Sequence, residues 1–408
     1  MMQSKGSWGK NSARKGISQK IGYQYNMRVG MISPYSLTVP GGVQNQILAL
    51  AKSIRKLGTD IRILGPCDGP PPDTGITPLG NSLPTATNGS IAPLAPDAAA
   101  QLRVIRALRD EQFDVLHVHE PLAPGPTITS IVLKQSPIVA TYHRSGHSKF
   151  YDYFNRPARW VASRVEINCA VSDEAARTAK RAVGGNYEIL FNGIDLELFE
   201  NQKERSSTPT ILFIGRHEPR KGLEVLLKSM QFLPDNVRLW IASEGPETNR
   251  LKEQTLNDER FIWLGTISDT EKINRLQECS VLCAPSLGGE SFGIVLLEAM
   301  AARTPVVASA IPGYVKLARQ GRDALLAEPG DAVALSNSLR SVLFSEGVGL
   351  DLVESGRERA EQFSMDELAL RYQEIYERAL TLRPAAPLLK RGRYFSSGFV
   401  KSDRDKRQ

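Results

Sequence analysis

Short apolar runs alternate along this chain with longer stretches whose apolar residues return every three or four positions. Met27–Ile32, Asp60–Leu64, Asp114–Val118, Pro137–Tyr142 and Arg164–Ala170 read as strands, most of them apolar enough to be buried on both faces. Val43–Leu57 has helical periodicity and stops at Gly58, and Asp97–Arg109 reads the same way. Ser33–Gly42 is a Pro- and Gly-containing loop, and Pro66–Pro96 predicts a long functional or mobile loop. The pattern restarts at Thr210–Gly215 and runs through Val237–Ala242, Ile262–Leu264, Val281–Cys283 and Val306–Ala308, after a turn-rich join at Phe191–Asp195. Met365–Leu382 predicts an amphipathic helix with Leu368, Tyr372, Ile375 and Tyr376 as its apolar anchors. Strands alternating with helices predict parallel sheets covered on both faces. The expected fold is α/β, two doubly wound Rossmann-like domains facing a cleft. The expected division is a basic extension over 1–26, a first domain over 27–192, a second over 193–364, a helix over 365–382 crossing back to the first domain, and a basic tail over 383–408.

Composition adds little to this picture, but the charge distribution changes it. A content of 41% hydrophobic and 23% charged residues in 408 is that of an ordinary globular protein. No apolar run reaches the roughly 18 residues of a membrane span, and residues 1–26 lack the apolar segment of a secretory signal. The net charge of +7 comes from the ends of the chain. Residues 1–26 hold five basic residues and no acid, and 383–408 hold eight basic residues and two acids, so the body between them is net acidic. Such tails read as solvated. The body carries no nucleic-acid motif. Cys67, Cys169, Cys279 and Cys283 form neither a zinc pattern nor a disulfide framework, and a cytoplasmic protein is expected.

The candidate chemistry lies where predicted strands end. In Pro285-Ser-Leu-Gly-Gly-Glu290-Ser-Phe-Gly-Ile-Val-Leu-Leu-Glu298, Glu290 falls in the loop after a buried strand and Glu298 one turn into the next helix. Crevices at strand carboxyl ends bind ligands in open α/β sheets, helix N-termini favour anions, and a carboxylate accepts from paired hydroxyls of a sugar or ribose. A surface glutamate plus a helix-face glutamate is the plain alternative. Gly41-Gly42 lets a backbone approach a ligand at a helix start, or makes a simple turn. Arg216 and Lys221, in Gly215-Arg-His-Glu-Pro-Arg-Lys-Gly222, read as cations for a diphosphate rather than a solvated basic loop. His143 ends a strand and suits either a ligand contact or a structural role. His117 and His119 share one strand face, yet no further ligands point to a metal site. Arg103, Arg106 and Arg109 share one helix, as a membrane-facing surface or as a solvated face.

Taken in order, these stretches resemble the family-4 retaining glycosyltransferases of glycosyltransferase-B fold, from Met27 to about Leu382. Within that family the chain is similar to actinobacterial phosphatidylinositol alpha-mannosyltransferases. The resemblance rests on Met27–Gln44, Phe113–Pro121, Gly215-Arg216 with Pro219–Gly222, and Cys283–Glu298. It implies an enzyme moving α-mannose from GDP-mannose to the inositol ring of phosphatidylinositol, with GDP-mannose, phosphatidylinositol and an anionic membrane surface as partners. It implies that Gly42, Arg216, Arg220 and Lys221 hold the donor diphosphate, and that Ile267, Ser268, Asp269 and Lys272 flank the base. It places Glu290, Ser291, Phe292, Gly293 and Ile294 on the mannose and phosphates, Glu298 on the ribose and His143 beside the anomeric carbon. Tyr35, Gln44 and Asn88 would contact the acceptor. No metal and no tightly bound cofactor are expected, with Mg²⁺ at most a stimulator. A monomer at the inner face of the cell membrane is expected. Pro93 stands where the family has an acceptor-phosphate arginine, and the Arg216–Lys221 loop is one residue shorter. Another nucleotide sugar or acceptor, or a non-catalytic sugar-nucleotide-binding or membrane scaffold, are the rival readings.

Overall fold

The computed structural model describes residues 27–87, 90–144, 155–290 and 292–382. Asn88, Ser291, both basic ends and Lys149, a further basic residue expected at the lipid surface, lie outside the described residues.

The first sheet is built from β1 (Arg28–Ile32), β2 (Asp60–Gly65) and β3 (Ile76–Pro78), a separate hairpin of β4 (Leu83–Thr87) and β5 (Ser90–Leu94), then β6 (Val115–His119), β7 (Ile138–Tyr142), β8 (Ile167–Ala170) and β9 (Glu188–Ile189). Its seven strands are parallel, in the order β3-β2-β1-β6-β7-β8-β9. The second sheet holds β10 (Thr210–Ile214), β11 (Arg238–Ala242), β12 (Phe261–Gly265), β13 (Val281–Ala284), β14 (Val306–Ser309) and β15 (Leu325–Ala327), also parallel, in the order β12-β11-β10-β13-β14-β15. Each sheet reverses its winding once, between β1 and β6 and between β10 and β13. Those two switch points are where a doubly wound sheet opens its crevice.

The continuous apolar runs are buried as expected. All five residues of β6 and of β7 are buried, as are all four of β13 and of β14. The helix Met365–Thr381 packs its face of Met365, Leu368, Ala369, Tyr372, Ile375, Tyr376 and Ala379 into the same cluster as Val29, Met31, Ile47, Ile54 and Val139. It starts in the second half of the chain yet belongs to the first core. Burying one such side chain stabilises by about 1.5–3 kcal/mol. Two chain segments pass between the halves and bond to each other: Ile194 N–H donates to Phe363 O at 2.8 Å, and Met365 N–H to Ile194 O at 2.8 Å. Gln46 grips the same join, donating to Gly193 O at 2.8 Å and accepting from Gly193 N–H at 3.0 Å.

Two sequence expectations need correction. Pro66–Pro96 is not a structureless loop: it carries β3 and the β4–β5 hairpin, anchored by buried Ile76, Leu79 and Leu94. The prolines fit because a hairpin outside the main sheet can leave amides unpaired. The strand expected from Arg164 begins only at Ile167. The Arg164 guanidinium instead donates to Ile131 O and Val132 O, both at 3.0 Å, at the end of the helix Pro126–Leu133. The backbone here still closes the helix that precedes it in the chain, Arg164 N–H donating to Val161 O at 3.1 Å and Val165 N–H to Ala162 O at 3.2 Å, so these residues are not free to pair as a strand.

Candidate functional site

The loops after β10 and β13 are neighbours across the second switch point. Leu287 N–H donates to Arg220 O at 2.7 Å and closes one loop on the other. Gly222 makes this possible: its φ is +70°, and a Cβ there would lie 1.9 Å from Pro285 O. Where the loops meet, Glu290 Oε1 accepts from Arg220 Nη1 at 3.0 Å and from Lys221 Nζ at 2.6 Å. Glu218 bonds Arg220 Nε at 2.8 Å and pairs with Arg216 Nη1 at 3.3 Å. Three cations and two carboxylates therefore share one patch with a surplus of positive charge. The Glu290 side chain is only 14% exposed, whereas that of Arg216 is 55% exposed. Arg216 is thus the cation freest to meet an incoming anion.

One turn into the helix Ile294–Ala301, Glu298 pairs with Lys272 at 2.7 Å. Burial opposes charge on Lys272, but Glu298 and Asp269 outweigh it and hold the ammonium above its ordinary range. Ser268 caps the helix Asp269–Glu278 by accepting from Glu271 N–H at 3.1 Å, and Ile267 precedes it half-buried. Ile294 opens its helix after Gly293 with no side-chain cap, leaving amides to donate outward. Phe292 is buried and stacks on Phe191 with centroids 5.2 Å apart, which pins this loop to the join between the halves.

On the first-domain side, His143 follows β7 and is gripped twice. Its backbone N–H donates to Glu120 Oε1 at 2.6 Å, and its Nε2 lies 2.9 Å from His119 Nδ1. Burial holds His143 down at about 4 and His117 at about 3, with His143 adding to the latter, so both rings are neutral near pH 7. Burial also raises the Glu120 carboxyl, against the bonds it accepts from the His143 and Arg144 amides. His117 is spoken for: Nδ1 meets Tyr376 Oη and Nε2 meets Thr141 Oγ1, both at 2.8 Å. Among the described residues no group of three or more His, Cys, Asp or Glu side chains is arranged to hold a metal ion. The four cysteines are buried, and burial pushes the Cys279 thiol up to about 12.

Gly42 opens the helix Gly42–Lys56, again with no side-chain cap. Gln44 is buried and donates to Val39 O at 3.2 Å. Tyr35 bridges Leu94, and Ser36 N–H donates to Pro93 O at 3.0 Å, so the β4–β5 hairpin seats against this loop. The three candidate membrane arginines separate. Arg103 donates to Leu79 O at 3.2 Å, while Arg106 and Arg109 both pair with Asp110.

A cavity of about 250 Å³ lies between the two halves. Gly288–Glu290, Ile311–Gly313 and Lys316 line it from one side, and Ser172, Asp173, Glu174 and Arg177 from the other. Lys316 and Asp173 pair across it. Gly313 lets its segment close on the site, since a Cβ there would lie 2.3 Å from Glu290 O. Sequence reasoning passed over this first-domain wall. Its signal was present: Ser172 caps the helix Asp173–Val183 directly after β8, at a strand's carboxyl end.

Known proteins bear on this geometry. Residues 40–198 match the family described as Glycosyltransferase Family 4, and residues 195–361 match Glycosyl transferases group 1. The chain is 36% identical over 368 residues to a phosphatidyl-myo-inositol mannosyltransferase of Mycobacterium leprae, covering 87% of this chain and 98% of that protein. It is 35% identical to the protein of that name in Mycolicibacterium smegmatis, over 86% of this chain and 94% of that one. The structure of a glycosyltransferase from Rickettsia africae superposes with a TM-score of 0.69 at 17% identity, covering 88% of this chain and 100% of that one, a likeness of fold.

Proposed function

The chain belongs to the family-4 glycosyltransferases, and from that premise we propose that it transfers α-mannose from GDP-mannose to the inositol ring of phosphatidylinositol, with retention at the anomeric carbon. The identity of its relatives supports the sugar and acceptor. The convergence of Arg220 and Lys221 on Glu290 beside the half-exposed Arg216 is the observation that carries the reaction class.

In this reading Arg216, Arg220 and Lys221 take the diphosphate, stabilising the charge that grows as the glycosidic bond breaks. Glu290 and the amides at the start of Ile294–Ala301 orient sugar and phosphate. Glu298, held by Lys272, takes the ribose hydroxyls, and Ile267–Asp269 flank the base. His143 meets the sugar from the other side of the cleft. Glu290 is already bound by two cations, which makes it a poor nucleophile, so the acceptor hydroxyl attacks on the face the diphosphate leaves. Cationic side chains do the work of a metal, with Mg²⁺ at most a stimulator. Tyr35, Gln44 and the hairpin seat the acceptor, and the protein works as a monomer on the inner leaflet.

Purified protein incubated with labelled GDP-mannose and phosphatidylinositol vesicles tests this directly. The expected product is an α-mannosyl lipid, and Glu290→Ala loses most of it. GDP, rather than UDP or ADP, is expected to raise the melting temperature. A response to UDP alone removes the mannose assignment, and a trapped mannosyl-enzyme removes the same-face route. Chelator is expected to leave transfer largely intact.

A further inference from the structure

His119 and Glu120 are consecutive, and between them they hold one residue at two points. Glu120 takes the backbone N–H of His143 and His119 meets its ring. Glu120 adopts φ +47°, a left-handed conformation uncommon away from glycine. That turn lets adjacent side chains serve the same partner, where a regular strand would send them to opposite faces.

The pair of imidazoles has a directional consequence. Both rings are neutral, so across the 2.9 Å contact one nitrogen carries the proton and the other accepts it. His119 is 2% exposed, and its Nε2 is buried with no partner among the described residues. A buried N–H without an acceptor is rarer than a bare lone pair. His119 therefore keeps its proton on Nδ1, where it donates to His143 Nε2. His143 then carries its own proton on Nδ1, the nitrogen with no partner among the described residues. The hydrogen bond at one nitrogen decides what the other offers.

We propose that His119 is a positioning residue that fixes His143 as the Nδ1–H tautomer, so that His143 presents a hydrogen-bond donor, not an acceptor, to an oxygen of the bound sugar nucleotide. This rests on the reading of His143 as a sugar contact given above, but the tautomer itself is a property of the protein alone.

Nitrogen-15 NMR of the full chain with labelled histidine reads it, with the His143 signals assigned by their loss in His143→Gln. In the unaltered protein near neutral pH, Nδ1 is expected to show the shift of a protonated nitrogen and Nε2 that of a bare one. The reverse pattern, or a cationic ring, overturns the proposal without any variant having to fold. His119→Asn places an amide donor where Nδ1 stands and is expected to keep both the tautomer and transfer within about threefold. His119→Phe is expected to lose the tautomer preference and to lower kcat roughly tenfold or more with the donor KM little changed, the direction a wrong tautomer takes. Equal losses in the two variants with His143 unaltered in both spectra reduce His119 to a packing residue and overturn the proposal. If GDP-mannose is the wrong donor, the thermal-shift panel shows that separately, and the tautomer still stands or falls on the spectrum.

Discussion

Three histidines clustered behind the cleft tie the site to pH. The folded chain holds His117 and His143 far below the ordinary 6.5, chiefly through burial, and burial with its two ring neighbours lowers His119 as well. On unfolding each takes up a proton once the pH is below its free value. The stability they allow is therefore complete above about 6.5 and is lost as pH falls from there towards the folded values. The urea midpoint is expected to drop between about pH 7 and 5, and His117→Asn is expected to flatten that slope. An unchanged slope would place the acid sensitivity elsewhere. On the opposite wall the charge is positive, and its loss is read in rate. Lys221→Ala and Arg216→Ala are each expected to cost about 2–4 kcal/mol in kcat/KM, as loss of a preorganised donor does elsewhere. Lys221→Ala has a second effect, since it leaves Glu290, mostly buried, with Arg220 as its remaining cation. A Lys221→Ala enzyme with normal kcat/KM would mean that the diphosphate is held elsewhere.

The helix Met365–Thr381 shows what one element can do from a distance. Tyr376 Oη meets His117, and Tyr372 Oη meets Thr141 at 2.8 Å, so two hydroxyls reach β6, which carries His117 and His119, and β7, which His143 follows. Ile375→Ala is expected to cost about 2–5 kcal/mol of stability as a large-to-small change in a closed core. Tyr376→Phe is expected to cost nearer 1 kcal/mol while leaving the hydrophobic packing intact. Chemical denaturation of the two variants checks both, and a Tyr376→Phe loss as large as that of Ile375→Ala would show that the hydroxyl network, not the packing, holds the helix. This element was legible because its four named anchors repeat at helical spacing. The buried strands were legible because parallel sheets leave unbroken apolar runs. That Glu290, Arg216 and Lys221 lie in loops at strand carboxyl ends was legible because each follows a buried apolar run, and the structure brings those loops together. The β4–β5 hairpin was not legible, because prolines in an antiparallel ribbon look like loop punctuation. Nor was the grip of His119 and Glu120 on His143, since it depends on one left-handed residue and a contact 24 positions away.

At the scale of the whole molecule, the proposed lipid acceptor has to be met by a net acidic body. Among the described residues no helix is long and apolar enough to cross a membrane, and the described surface has its own candidates for lipid contact. The helix Ala98–Glu111 offers Arg106 and Arg109, whose side chains are 80% and 71% exposed. They share Asp110 between them, which leaves that face only weakly positive. Arg103 is partly engaged by Leu79 O and is the least free of the three. Exposed Leu102 on the same helix and exposed Trp160 add apolar surface of the kind that sits at a headgroup boundary. Weak local charge plus a few apolar side chains predicts reversible docking that salt undoes, because screening at high ionic strength removes the electrostatic share. Vesicles containing phosphatidylinositol are expected to sediment with the protein at low salt and to release it at high salt. Replacing Arg103, Arg106 and Arg109 together by Ser is expected to weaken sedimentation and transfer to lipid while GDP binding stays as it was. If those replacements change nothing and only deletion of residues 1–26 or 383–408 releases the protein, the helix is a solvated face and the basic ends hold the membrane. The acceptor would then reach the cleft from another side of the first domain.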